Sequence, residues 1–144
     1  MLTRKSSGCV VFKIDQGQVE ILLVTSTSGK EWVFPKGGVE MNLTERASAA
    51  KEVYEEAGVH GEVGVKLGTC RYIKNGQIQL VTMFAMRYTG EAEDWPEAAK
   101  RDRRWFKPRK AMNKLDPYLA PFVYDVMEAV EANLAHENRK QVSV

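Results

Sequence analysis

Residues 34–58, FPKGGVEMNLTERASAAKEVYEEAG, constrain the fold of this 144-residue chain more than any other stretch. Pro35 and the pair Gly37–Gly38 forbid regular structure at its start, so a shaped loop is expected there. A helix follows. Either Asn42, with Glu45 three residues on, or Thr44 can cap it, and Gly58 is its expected stop. Ala47, Ala50, Val53, Tyr54 and Ala57 form the apolar stripe, with Ser48, Glu52, Glu55 and Glu56 on the other side.

Such a helix has one face to bury, and the segments around it read as strands that could receive it. SGCVVFKI and VEILLVTS flank the turn-like DQGQ, and EVGVKLGTCRYI and QIQLVTMFAMRY flank the tight KNG turn. In the last of these, Ile78, Leu80, Thr82, Phe84, Met86 and Tyr88 alternate with a second set, as a strand in a packed sheet requires. A short RRWFK strand comes later. Pro121 then opens a final helix with Phe122, Val126, Ala129, Val130 and Leu134 on its apolar face. The expectation is one α/β domain over residues 1–144.

With 44% hydrophobic and 28% charged residues, the chain can build a core. Its net charge of +2 is too small to argue for nucleic acid, although residues 100–110 hold seven basic side chains against Asp102 alone. Cys9 and Cys70 are far apart and outside any C-x-x-C pattern, and both fall in strand-like segments, so core packing is expected of each. His60 and His136 follow no ligand spacing and read as surface. The N-terminus has no long apolar region, so a soluble cytoplasmic protein without membrane partners is expected.

The carboxylates of KEVYEEAGV raise a question that packing does not answer. Like charges three and four residues apart on a helix repel by a few tenths of a kcal/mol. A solvated acidic face accommodates them. So does a divalent cation, which turns the repulsion into ligation. Mg²⁺ takes oxygen ligands and keeps several waters, so a glycine-loop carbonyl with two or three helical glutamates suits a Mg²⁺–polyphosphate site.

In register, Gly37, Glu52, Val53, Glu55, Glu56, Gly58 and Val59 resemble the Nudix box, the signature of the Nudix hydrolase superfamily. The WVFP before it, and EDWPE with RRWF after it, are similar to the diphosphoinositol polyphosphate phosphohydrolase branch, which also cleaves dinucleoside polyphosphates. The resemblance implies a Nudix-type α/β/α sandwich with a mixed central sheet. It also implies a metal-dependent pyrophosphohydrolase acting on a small-molecule nucleoside or inositol polyphosphate, with Mg²⁺ or Mn²⁺ as cofactor.

Carried onto this chain, it assigns the metal to Glu52, Glu56 and the Gly37 carbonyl, with Glu55 a further ligand or a support. Catalysis falls to Glu52 and Glu55, with Glu52 the first choice of base and Glu91, Glu93 and Glu97 as loop alternatives. Arg4, Lys5, Lys13, Lys36, Gly38 and Arg103 are the candidates for holding substrate phosphates. Two positions depart from the box: Leu43 replaces a glutamate and Lys51 an arginine, a pair that braces the loop against the helix in the family. That departure keeps open an alternative, a Nudix domain that binds a nucleotide-like ligand without hydrolysing it. A third reading, a nucleic-acid module built on residues 100–110, lacks interleaved aromatics beyond Trp105 and Phe106.

Overall fold

The computed structural model describes residues 1–142, and of residues 135 and 137–142 the backbone alone. In chain order the elements are β1 (Thr3–Asp15), β2 (Gln18–Thr25), β3 (Trp32–Val33), β4 (Lys36–Gly38), α1 (Glu45–Ala57), β5 (Val59–Lys74), β6 (Gln77–Glu91), β7 (Arg103–Phe106), α2 (Pro108–Lys114) and α3 (Phe122–Val142). The turns expected at DQGQ and KNG form as two-residue hairpins, with Gln16 and Gly17, then Asn75 and Gly76, at positive φ.

All seven strands join one mixed sheet. Its path is β3-β2-β1-β6-β5, with β4 on β1 and β7 on β2. β1 and β6 are parallel, and every other pairing is antiparallel. The arrangement is the expected α/β/α sandwich. Val10, Ile21, Leu23, Val81 and Met83 meet α2 and α3 through Ala111, Leu115, Phe122, Val123 and Val126. On the opposite face Cys9, Val11, Leu22, Val24, Phe84 and Met86 meet α1 through Ala49, Val53 and Ala57. A strand covered on both faces loses its polar alternation, which is why Cys9, Val10 and Val11 are all fully buried. Burial pushes the Cys9 thiol up to about 12, in keeping with a packing role. Cys70 is only half-buried, and its Sγ donates to the Tyr118 carbonyl at 3.3 Å.

Three local expectations are corrected. The loop around Pro35 is not free of regular structure, because Trp32–Val33 and Lys36–Gly38 form two short strands. β1 pairs with β2 only from Phe12 onward, and β4 takes the same edge of β1 at Ser6–Gly8. Helix α2 begins within the basic run, signalled by a proline at its start. On α3, Phe122, Val126 and Val130 are buried as expected, but Leu134 is exposed.

Helix α1 is capped by Thr44, whose Oγ1 accepts from the Ala47 N–H, and stopped by Gly58 at φ 65°. Its buried side is turned from the expected stripe. Ser48, Ala49, Val53, Glu56 and Ala57 are buried, whereas Ala47 and Tyr54 are exposed. Tyr54 lies against His60 at the surface. Val53 holds the helix to the sheet, a burial worth about 1.5–3 kcal/mol. The rotation has a chemical consequence, since it takes Glu56 inside.

Candidate active site

The site forms where β4 is laid on the start of β1. Gly8 is the hinge of this approach, because a Cβ there would collide with the Pro35 carbonyl, which accepts from the Cys9 N–H at 3.2 Å. Ser7 pairs with Gly37, and a Cβ on Gly37 would collide with the Glu52 carboxylate. A side chain there would push the Glu52 carboxylate aside, so the glycine lets this glutamate lie against the strand. Ser48, fully buried on α1, ties the helix to the same strand. Its hydroxyl lies 3.4 Å from the Gly38 carbonyl and 3.3 Å from the Glu40 amide.

The three α1 carboxylates differ in environment. Glu56 is buried, its Oε1 accepting from the Lys36 N–H at 3.3 Å and its Oε2 lying 3.7 Å from the Arg101 guanidinium. Burial raises its carboxyl to about 7, against the opposing pull of Arg101 and the Lys36 amide. Glu52 is half-buried and also raised, first by burial and then by Glu55, Glu97 and Glu40. Glu55 lies 3.7 Å from Lys51. Among the described residues, no three acidic, histidine or cysteine side chains close into a ready-made metal cluster.

The donor set nonetheless fits a hard cation that keeps much of its water shell, as Mg²⁺ does when held by one or two carboxylates. Glu52 and Glu56 supply those carboxylates beside the Gly37 backbone. The Ser7 hydroxyl, opposite Gly37 in the strand pairing, is the one buried side-chain polar atom without a partner among the described residues. An unmatched hydroxyl in that place is a natural partner for a metal-bound or substrate-bound oxygen.

The departures at Leu43 and Lys51 leave a pairing between loop and helix in place. Lys51 pairs with Glu40, three residues before Leu43, so a carboxylate from the loop still meets the basic residue of the helix. Hydrogen bonding to Glu40 raises the Lys51 ammonium.

The candidate phosphate-binding residues separate. Lys36 and Gly38 flank Gly37, so strand alternation turns them to the opposite sheet face from Glu52. Lys36 is lowered by burial and by Arg4, whose charge it feels together with that of Lys74. Arg4 and Lys5 lie at the exposed start of β1, and the Lys5 carbonyl accepts from the Val39 N–H. A Cβ on Gly38 would meet nothing, leaving open space there.

Lys13 and Arg103 are not part of this group. Lys13 is paired with Glu20 near the far end of β1, with its ammonium 4.3 Å from the Trp105 ring centroid. Arg103 donates to the Ala57 and Ala92 carbonyls, pairs with Glu91 at 2.7 Å and stacks on Trp95 at 4.0 Å. Its charge is consumed by structure.

The loop carboxylates also separate. Glu91 is bound by Arg103 and the Tyr88 hydroxyl, and Glu93 is exposed. Glu97 accepts from Arg101 at 2.9 Å, which brings it beside Glu56. Arg101 escaped the sequence reading because a basic run looks like solvated surface. Its side chain is 11% exposed, and it also donates to the Thr25 carbonyl.

A glycine strand closed onto a helix of carboxylates thus sits on an α/β/α sandwich with a mixed sheet. Residues 2–130 match the NUDIX domain family, and the chain belongs to that family. It is 38% identical over 113 residues to Nudix hydrolase 4 of Arabidopsis thaliana, covering 71% of this chain and 54% of that protein. It is 32% identical over 114 residues to diphosphoinositol polyphosphate phosphohydrolase 2 of Rattus norvegicus, covering 78% and 63% respectively. The chain thus spans between about half and two thirds of the length of these curated relatives. The crystal structure of a C. elegans Ap4A hydrolase shares the fold, with a TM-score of 0.69 at 21% identity over 90% of this chain and 98% of that one.

Proposed function

We propose that this chain is a metal-dependent pyrophosphohydrolase that cleaves a phosphoanhydride in a dinucleoside polyphosphate or a diphosphoinositol polyphosphate. The observation that carries the reading is the approach of the bare Gly37 backbone to the Glu52 carboxylate, which a side chain at position 37 would push aside. Mg²⁺ or Mn²⁺, held by Glu52, Glu56 and the Gly37 carbonyl with Glu55 adjoining, would neutralise phosphate charge and acidify a bound water.

The remaining work falls to the chain. Glu52, half-buried against the Gly37 backbone, accepts the proton of the attacking water. Glu97 is the loop carboxylate near enough to Glu56 to share in it. Lys5 shares the sheet face of Ser7 and Glu52, while Lys36 and Arg4 with the open space at Gly38 meet phosphates that pass round the edge of β4 to the other face. The free thiols of Cys9 and Cys70 are in keeping with a cytoplasmic setting.

Of the two substrate classes, the geometry favours the one with a flat ring. Tyr72 stacks on the exposed Tyr118, with ring centroids 4.9 Å apart and planes 4° from parallel. Tyr72 pairs with Gln79, and Gln79 with Arg4. The aromatic pair therefore lies two strand spacings of about 4.8 Å from β1. A phosphate run passing Gly38 and Arg4 would bring an attached nucleoside toward it, where stacking rewards a base and not an inositol ring. A substrate panel with Mg²⁺, spanning dinucleoside polyphosphates, diphosphoinositol phosphates, ADP-ribose and nucleotide sugars, tests this. Turnover of none, with retained binding of a nucleotide, would favour the ligand-binding alternative.

A further inference from the structure

An α-helix ends with carbonyls that have no partner inside the helix, and with the negative pole of its dipole. In α1 that end coincides with Glu52, Glu55 and Glu56, so the carboxylates that would hold a cation stand where the backbone itself repels them. The Tyr54 carbonyl is satisfied within the cap by the Gly58 N–H at 2.8 Å. The next four carbonyls are all satisfied by one segment elsewhere in the chain. Glu55 accepts from the Glu97 N–H at 3.0 Å, and Glu56 from the Trp95 indole at 2.9 Å. Ala57 accepts from Arg103 at 2.9 Å, and Gly58 from the Ala92 N–H at 2.8 Å.

The segment that does this is itself anchored. The Asp102 carbonyl accepts from the Thr25 N–H, the Thr25 hydroxyl accepts from the Asp102 N–H, and Arg101 donates to the Thr25 carbonyl. Packing is tight at the junction, since a Cβ on Gly58 would stand 2.8 Å from the Trp95 side chain. Arg101 and Arg103 place two guanidinium groups against the acidic end of the helix.

We propose that residues 92–103 form a clamp on α1, in which Trp95, Arg101 and Arg103 are positioning residues that fix Glu56 and Glu52 for metal binding. None of the three needs to touch substrate. Arg101 acts directly on the Glu56 carboxylate, while Trp95 and Arg103 act through the backbone that carries it. The effect expected is large for a remote contact, because misplacement of catalytic groups by about 1 Å costs on the order of 100-fold in rate. The proposal rests on Glu52 and Glu56 being the metal-holding groups.

The test combines Mn²⁺ binding without substrate, followed by electron paramagnetic resonance, with steady-state kinetics. Trp95→Phe removes the indole donor and keeps a ring, and Arg103→Met removes the guanidinium and keeps a similar stem. Glu56→Gln is the control for the metal site, and circular dichroism selects the variants that remain folded. Expected are a five- to tenfold weaker Mn²⁺ affinity in Trp95→Phe and Arg103→Met and a ten- to 100-fold lower kcat, with KM within about twofold of wild type. Arg101→Lys should recover part of what Arg101→Met loses. If Glu56→Gln abolishes Mn²⁺ binding while folded Trp95→Phe and Arg103→Met keep both Mn²⁺ affinity and kcat, the clamp is overturned and the metal site stands. If only KM rises in Arg103→Met, that residue is a substrate contact and the clamp is likewise overturned. Wild-type Mn²⁺ affinity in Glu56→Gln would overturn the metal assignment and the clamp with it.

Discussion

Lys51, in the middle of α1, is ion-paired to Glu40, in the loop that leads from the glycine strand into that helix. The family-like position for this acid is occupied by Leu43, yet the loop still delivers a carboxylate to the helix from three residues earlier. Glu40→Gln or Lys51→Met should therefore lower kcat several-fold, and the exchange Glu40→Lys with Lys51→Glu should restore part of it. Leu43→Glu should change kcat less than Glu40→Gln does. A larger effect of Leu43→Glu, in either direction, would mean that Glu40 does not serve as the brace.

Gly37→Ala and Gly38→Ala separate two glycines that look alike in the sequence. The first places a methyl group against the Glu52 carboxylate, and the second places one in open space. Gly37→Ala should reduce kcat by about 100-fold or more through displacement of Glu52, whose flexible carboxylate swings aside with little loss of melting temperature. Gly38→Ala should leave the melting temperature within about two degrees of wild type. Steady-state kinetics, with thermal denaturation followed by circular dichroism, check the pair.

Glu56 gives the metal-free protein a characteristic pH dependence. Its folded-state carboxyl is raised to about 7 by burial, so between its ordinary value near 4.5 and 7 the folded chain binds more protons here than the unfolded chain. The contribution of this group to stability is therefore fully present below about 4.5 and is lost as pH rises through 7. Cation binding needs the ionised form. The Mn²⁺ dissociation constant should fall by up to tenfold per pH unit approaching 7 and level off above it. Titration calorimetry at several pH values would show this, and Glu56→Gln should remove that dependence along with most of the binding.

Lys36 should matter more for long phosphate runs than for short ones. Its side chain lies on the sheet face where Arg4 and Lys74 contribute charge. Lys36→Ala should raise KM for a dinucleoside pentaphosphate at least fivefold and for ADP-ribose less than twofold. The difference should shrink in high salt, because part of the attraction is screened. Equal KM changes for both substrates would remove Lys36 from distal phosphate binding.

The parts of the fold and site that were legible in the sequence are those governed by local chemistry. Thr44 and Gly58 bound the helix because a side-chain oxygen and an αL residue satisfy its ends, and Asn75–Gly76 marks a turn because only such residues take positive φ readily. The spacing of Glu52, Glu55 and Glu56 raised a cation site beside a solvated face, and the resemblance to the Nudix box chose between them. What stayed hidden depends on residues far apart in sequence. The burial of Glu56 comes from a segment about 40 residues later, so the amphipathic stripe placed it on the outside. Arg101 and Arg103 sat in a basic run that reads as solvated surface, while their partners are carbonyls of β2 and α1, which no side-chain pattern advertises. Glu40 was missed because the expected brace belonged to position 43.

In the proposed reaction, α1 carboxylates hold a divalent cation for phosphoanhydride hydrolysis. The most direct test is the rate of hydrolysis of a dinucleoside polyphosphate by wild type and by folded Glu56→Gln, with Mg²⁺ and with excess chelator. Gln keeps the shape of the side chain and removes its charge. Expected are turnover by wild type with Mg²⁺, at least a 100-fold loss on chelation that added Mg²⁺ reverses, and a comparable loss in Glu56→Gln at saturating Mg²⁺. Full turnover in excess chelator, or by Glu56→Gln, would contradict the proposed reaction.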